Sequence, residues 1–264
     1  MKKIFLASLV GLLALGACKK DDKEDFQTNS NNSSYTLIAS DTTDNDYIIS
    51  LHIQSDGIEV GYTTLFVGVK DIEGNNVSNA DVSFFPEMDM GMMQHGAPVI
   101  QPEYKSASKF HEGVVVFTMP TGSMGTWTLS IEVYGEFVTF PIEVEPSKQN
   151  TKYVGSYLGI DGESYILSLK KPFDWQVGMN DITILIHQEV NHAYLPVDDF
   201  EIFMDPQMTS MGHGSPNNIS PTSIGNGFYT GKVNFTMTGD WRLNFDLIRE
   251  GDTIVSGAYL DILF

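Results

Sequence analysis

Between Met88 and His95 the chain places four methionines and one histidine within eight residues, and Gly96 and Pro98 follow. Thioether sulfur is a neutral, polarizable donor. It suits Cu(I) and poorly suits Zn(II), Mg(II) or Ca(II), while imidazole binds copper in either oxidation state. Such a cluster could hold Cu(I) without a thiolate. The competing use of methionine is packing, since its flexible side chain fills core gaps or makes an adaptable contact surface. Beside glycines and a proline, the stretch reads as a turn.

A second occurrence separates kept residues from changed ones. Met90-x-x-Met93-x-His95-Gly96-x-Pro98 matches Met208-x-x-Met211-x-His213-Gly214-x-Pro216 at an offset of 118. The same offset pairs Tyr35 with Tyr153, Tyr47-Ile-Ile-Ser-Leu with Tyr165-Ile-Leu-Ser-Leu, Phe85 with Phe203, Gly113 with Gly231 and Phe117-Thr-Met119 with Phe235-Thr-Met237. After four extra residues in the first copy, Pro120 to Ser123, Gly125-x-Trp127 matches Gly239-x-Trp241. The pattern is that of a tandem duplication. It predicts one domain over 35–145, a linker over 146–152 and a second domain over 153–264. Candidate metal ligands are Met90, Met93, His95 and Met119 in the first copy, and Met208, Met211, His213 and Met237 in the second. On this offset Met88, Met92 and Met124 have no counterpart, and His111 stands where the second copy has Tyr229. Trp127 and Trp241 read as core anchors, with a cation–π cap on a bound metal as the alternative.

The elements that must position these residues read as strands. In 46–54 the residues Tyr47, Ile49, Leu51 and Ile53 share one face. Segments 63–70, 81–85, 113–119, 126–133 and 137–144 are short, rich in Val, Ile, Phe and Thr, and bounded by Gly, Asn, Asp or Pro. No stretch keeps a 3.6-residue apolar period. About seven strands per copy predicts an all-β fold of two tandem immunoglobulin-like β-sandwich domains. The ligand loop should leave the strand at Phe85 or Phe203, and Met119 or Met237 should end a neighbouring strand.

The Met-rich His-Gly segment, Gly227-Phe228-Tyr229 and Phe235-Thr-Met-x-Gly-x-Trp241 together resemble the YtkA-like or FixH-like domains. Both copies carry the pattern, the second more closely. The resemblance implies small extracytoplasmic β-sandwich domains with links to copper handling and oxidase assembly.

The N-terminus predicts export. Lys2 and Lys3 precede an apolar run from Ile4 to Leu15, too short to span a bilayer. Leu15-Gly-Ala-Cys18 resembles the lipobox of bacterial lipoproteins, which implies cleavage after residue 17 and acylation of Cys18, the sole cysteine. Residues 18–34 read as a flexible tether, and their Lys/Asp/Glu-rich start resembles a signal for the outer face of the outer membrane. Cleavage removes two of 15 basic residues and none of 34 acidic ones, leaving a net charge of −21. Such a chain repels nucleic acid and anionic headgroups, so the expected membrane partner is the lipid on Cys18.

No nucleophile elbow, phosphate loop or His-Glu-x-x-His motif is present, and no enzyme is predicted. The expected function is an extracytoplasmic, membrane-anchored lipoprotein that binds copper, as Cu(I), and exchanges it with a donor or acceptor protein. The alternative is a metal-free surface lipoprotein that binds a glycan or a protein through its loop ends.

Overall fold

The computed structural model describes residues 35–264, so the expected leader, Cys18 and the expected tether lie outside the described residues. The chain is all β, built of sandwiches. In the first, a sheet ordered Thr36–Thr42, Ile48–Ile53, Gly61–Lys70, Phe110–Phe117, Val99–Lys105 faces a sheet ordered Glu136–Ile142, Thr126–Val133, Val82–Asp89, Gln94–His95. In the second, a sheet ordered Val154–Leu158, Ser164–Leu169, Gly178–Val190, Phe228–Phe235, Ile219–Gly225 faces one ordered His213–Gly214, Glu201–Met208, Asp240–Arg249, Asp252–Leu263. A short strand, Ala193–Pro196, folds back on Gly178–Val190.

Alternation builds both cores. Ile49, Leu51 and Ile53 point inward from one strand, and Trp127, Leu129, Ile131 and Val133 from another. Tyr165, Leu167 and Leu169, with Trp241, Leu243, Phe245 and Leu247, do the same in the second sandwich. Burying such side chains stabilises each by roughly 1.5–3 kcal/mol relative to exposure.

Val114–Phe117 is apolar on both faces. Val115 and Phe117 enter the first core, whereas Val114 and Val116 join Tyr62 on the outer face. There they pack against Val154, Ile166 and Leu185 of the second sandwich. Glu59 pairs with Lys171 across the same junction at 3.3 Å.

Two sequence expectations need correction. The methionine stretch is not a turn from Phe85 onward. Its strand runs Val82–Asp89, because Pro86 and Met88 continue the inward alternation of Val82 and Phe84. Nor do Met119 and Met237 end strands, since the neighbouring strands stop at Phe117 and Phe235, two residues earlier.

Candidate metal centre

Each sandwich carries a row of three side chains at one end. In the first, Met88 stands opposite His95 on one neighbouring strand and opposite Trp127 on the other. In the second, Met208 stands between His213 and Trp241. Opposed residues in antiparallel strands project to the same face, so each row faces its core at the rim. The imidazole meets the indole edge-on, at 5.3 Å for His95–Trp127 and 5.9 Å for His213–Trp241.

The tryptophan also brings in the distant methionine. Trp127 Nε1 donates to the Met119 carbonyl at 2.9 Å, and Trp241 Nε1 donates to the Met237 carbonyl at 3.0 Å. Both methionines lie half-buried against their cores. Each indole is thereby a buried anchor, as expected, and also the joint between the histidine hairpin and the downstream methionine.

Glycine makes room for the central methionine. A Cβ at Gly239 would lie 2.4 Å from the Met208 methyl. One at Gly125 would lie 2.6 Å from the Asp89 carbonyl oxygen, 3.0 Å from the Met88 methyl and 3.1 Å from Met90 Cγ. Both glycines also hold positive φ, 157° at Gly125 and 137° at Gly239, so backbone conformation as well as space favours glycine two residues before each tryptophan.

The structure thus brings the His95 ring and the Met119 carbonyl to Trp127, with Met90 beside Gly125, and the Met208 side chain, the His213 ring and the Met237 carbonyl to Trp241. It does not gather Met93 and Met211. They sit at the hairpin tips, 63% and 61% exposed. The pairing also shifts the correspondence between copies. Met88, not Met90, occupies the place of Met208, and the path from that methionine to the histidine is two residues longer in the first sandwich. A uniform offset of 118 hides this, but Pro86-x-Met88 and Pro206-x-Met208 carry the true register. Met88 is fully buried and Met208 is 5% exposed, so the methionine at this place belongs to the core in both sandwiches.

Protonation favours ligation at His95. Its Nδ1 lies 2.8 Å from the Gly96 carbonyl oxygen, which only accepts, so Nδ1 carries a proton and the neutral form of the ring has its lone pair on Nε2. Metal-bound histidines commonly have their second nitrogen held this way. The other strand histidines differ. Burial pushes the His187 imidazole down to about 4 and lowers His52 and His111. His111 and Tyr229 end in different bonding: the Tyr229 hydroxyl donates to Val197 O and accepts from Phe200 N. The His111 ring nitrogens are buried, near the Val67 and Ala80 backbone but outside hydrogen-bond geometry.

Among the described residues, no three His, Cys, Asp or Glu side chains converge as a metal site. The candidate donor types at the rims are thioethers and one imidazole each, a soft, neutral class of ligand that suits Cu(I) in general.

Residues 162–246 match the YtkA-like family. The YtkA-like segment contains Met208, Met211, His213, Met237 and Trp241. No curated protein matches the chain. Among solved structures, the chain is similar to FdeC, an Escherichia coli adhesin, at 15% identity and a TM-score of 0.27, over 86% of this chain and 66% of that one. Invasin, a bacterial integrin-binding protein, is similar at 14% and 0.27, over 83% of this chain and 39% of that one. A conserved domain protein from Bacillus anthracis is similar at 11% and 0.32, over 86% and 90%. The chain therefore spans less than two thirds of the length of FdeC and of invasin.

Proposed function

We propose that this chain is a copper-binding, extracytoplasmic lipoprotein made of two YtkA-like/FixH-like domains, anchored through acyl chains on Cys18. The observation that carries the reading is the repeated rim: a methionine–histidine–tryptophan row with a second methionine tied to the indole, built twice on one scaffold. Each rim holds one Cu(I) through its histidine Nε2 and thioethers from Met90, Met93 and Met119, or from Met208, Met211 and Met237. The exposed Met93 and Met211 complete the donor set by closing over the ion from the hairpin tip. A neutral soft set holds Cu(I) without a charged ligand, and exposed thioethers allow exchange with a copper donor or acceptor protein. The chain acts in copper handling as a chaperone, buffer or resistance factor rather than as an enzyme.

The test is substitution against stoichiometry in the chain from residue 19 onward. Replacing Met93 and His95 with Ala is expected to remove one equivalent of Cu(I), and adding Met211→Ala and His213→Ala the other. Cu(I) is also expected to raise the melting temperature by mass action, far more than Zn(II) does. A parent chain with no Cu(I) bound contradicts the reading and leaves glycan or protein binding through the loop ends.

A further inference from the structure

The two rims differ in what holds the histidine hairpin. The Gly96 carbonyl that accepts the His95 Nδ1 proton accepts a second bond, from the Tyr194 hydroxyl at 3.3 Å. Tyr194 belongs to the second sandwich. Its strand, Ala193–Pro196, is joined to Gly178–Val190 by a two-residue turn, Asn191-His192, with φ of 51° and 66°. That geometry suits a tight hairpin of the primed type. The ring packs into the apolar junction between sandwiches and lies 3.5 Å from the place of a Cβ on Gly96, an ordinary contact distance. Burial pushes its hydroxyl up to about 12, so it remains a donor. The first sandwich offers no equivalent. After Gly61–Lys70 it has a single bridge, Lys70–Asn76, and Asn76 is exposed.

We infer that Tyr194 is a positioning residue for the His95 site, reaching across the junction to hold the peptide that selects the Nδ1–H tautomer and keeps Nε2 open to a soft cation. A carbonyl has two lone pairs, and two donors fix its direction more tightly than one. The docked second sandwich thereby prepares the first sandwich's histidine, while His213 receives no reciprocal support. The inference deepens the copper reading and rests on it for the binding consequence. The tautomer itself is independent of metal.

The experiment follows the His95 and His213 imidazoles by nitrogen-15 NMR in the chain from residue 19 onward, with and without Tyr194→Phe, first metal-free and then with chelator-buffered Cu(I). Phe keeps the ring in the apolar junction and deletes the hydroxyl. In the parent chain, His95 is expected to be the Nδ1–H tautomer. In Tyr194→Phe it becomes a mixture, and Cu(I) affinity at His95 falls about tenfold, the lower end for loss of an outer-shell partner, while His213 is unchanged. An unchanged His95 tautomer in the metal-free variant overturns the inference, whatever the affinity does. If the parent chain takes up no Cu(I), the copper reading fails, and the metal-free tautomer still decides whether Tyr194 positions His95.

Discussion

The rims of the two sandwiches share a frame and differ in their furnishing. Common to both are the histidine–methionine–tryptophan row, the glycine that clears the central methyl, and the indole bond to a methionine carbonyl. The first rim adds a longer hairpin, with Met90 half-buried and Met92 fully exposed, and Met124 in the neighbouring loop. It also adds the clamp from Tyr194. The second rim is leaner: among the described residues no hydrogen bond holds the His213 ring, which meets Trp241 edge-on. On the copper reading proposed above, what persists would be the minimum for a soft-metal site, and what varies would tune affinity and exchange. On this account the first rim binds more tightly and the second exchanges faster.

Removing the shared anchor should have the largest effect and act alike on both rims. Trp127 and Trp241 are almost wholly buried. Either Trp→Ala change should cost about 3–5 kcal/mol and release the bound methionine segment. Urea unfolding should show it, and a loss under about 1 kcal/mol would argue against the indole as the joint.

The next effect separates the halves by pH. His187 shares the outward face of its strand with Leu185, which packs against the first sandwich. Burial lowers its pKa from 6.5 to about 4. The unfolded ring gains its proton first as pH falls. The stability of the neutral buried ring is thus complete above pH 6.5 and is lost progressively toward pH 4, by about 3 kcal/mol in total. Replacing His187 with Gln should flatten that part of the profile in urea titrations at pH 7 and pH 4. His52 and His111 are lowered in the same direction, so an acid loss in the first sandwich should survive the substitution.

Smaller changes sharpen the ligand assignment. Met93→Leu and Met211→Leu keep bulk at exposed tips, so thermal stability should hold within about 0.5 kcal/mol. Each should weaken Cu(I) binding at its own rim in chelator competition. Met92→Leu, at the most exposed methionine among the described residues, should change neither quantity. An equal loss of affinity from Met92→Leu would show that the loop binds copper diffusely, without a defined site.

Much of the fold was legible because the alternation is strong. Ile49, Leu51 and Ile53 announce their strand, and Thr126–Val133 has the expected bounds. The strand through Met88 was harder to see. Asp89-Met-Gly has turn chemistry and methionine is a weak strand marker, so only the inward spacing of Phe84, Pro86 and Met88 records it. The duplicated histidines pointed to the rim rows, whereas Met93 and Met211 of the same motif stand exposed at the hairpin tips. Met88 was obscured because two residues are gained in the hairpin, which moves the register without disturbing the His-Gly-x-Pro match. Tyr194 carried no local signal. Its role depends on docking two outer faces, and the doubly apolar Val114–Phe117 run is the sequence trace of that docking.

The most direct test is an anaerobic titration of the chain from residue 19 onward with Cu(I), competed against a chromogenic chelator. The account predicts two equivalents, one per rim, with unequal affinities. No competition at any chelator concentration would contradict it and return the methionine hairpins to packing and surface contact.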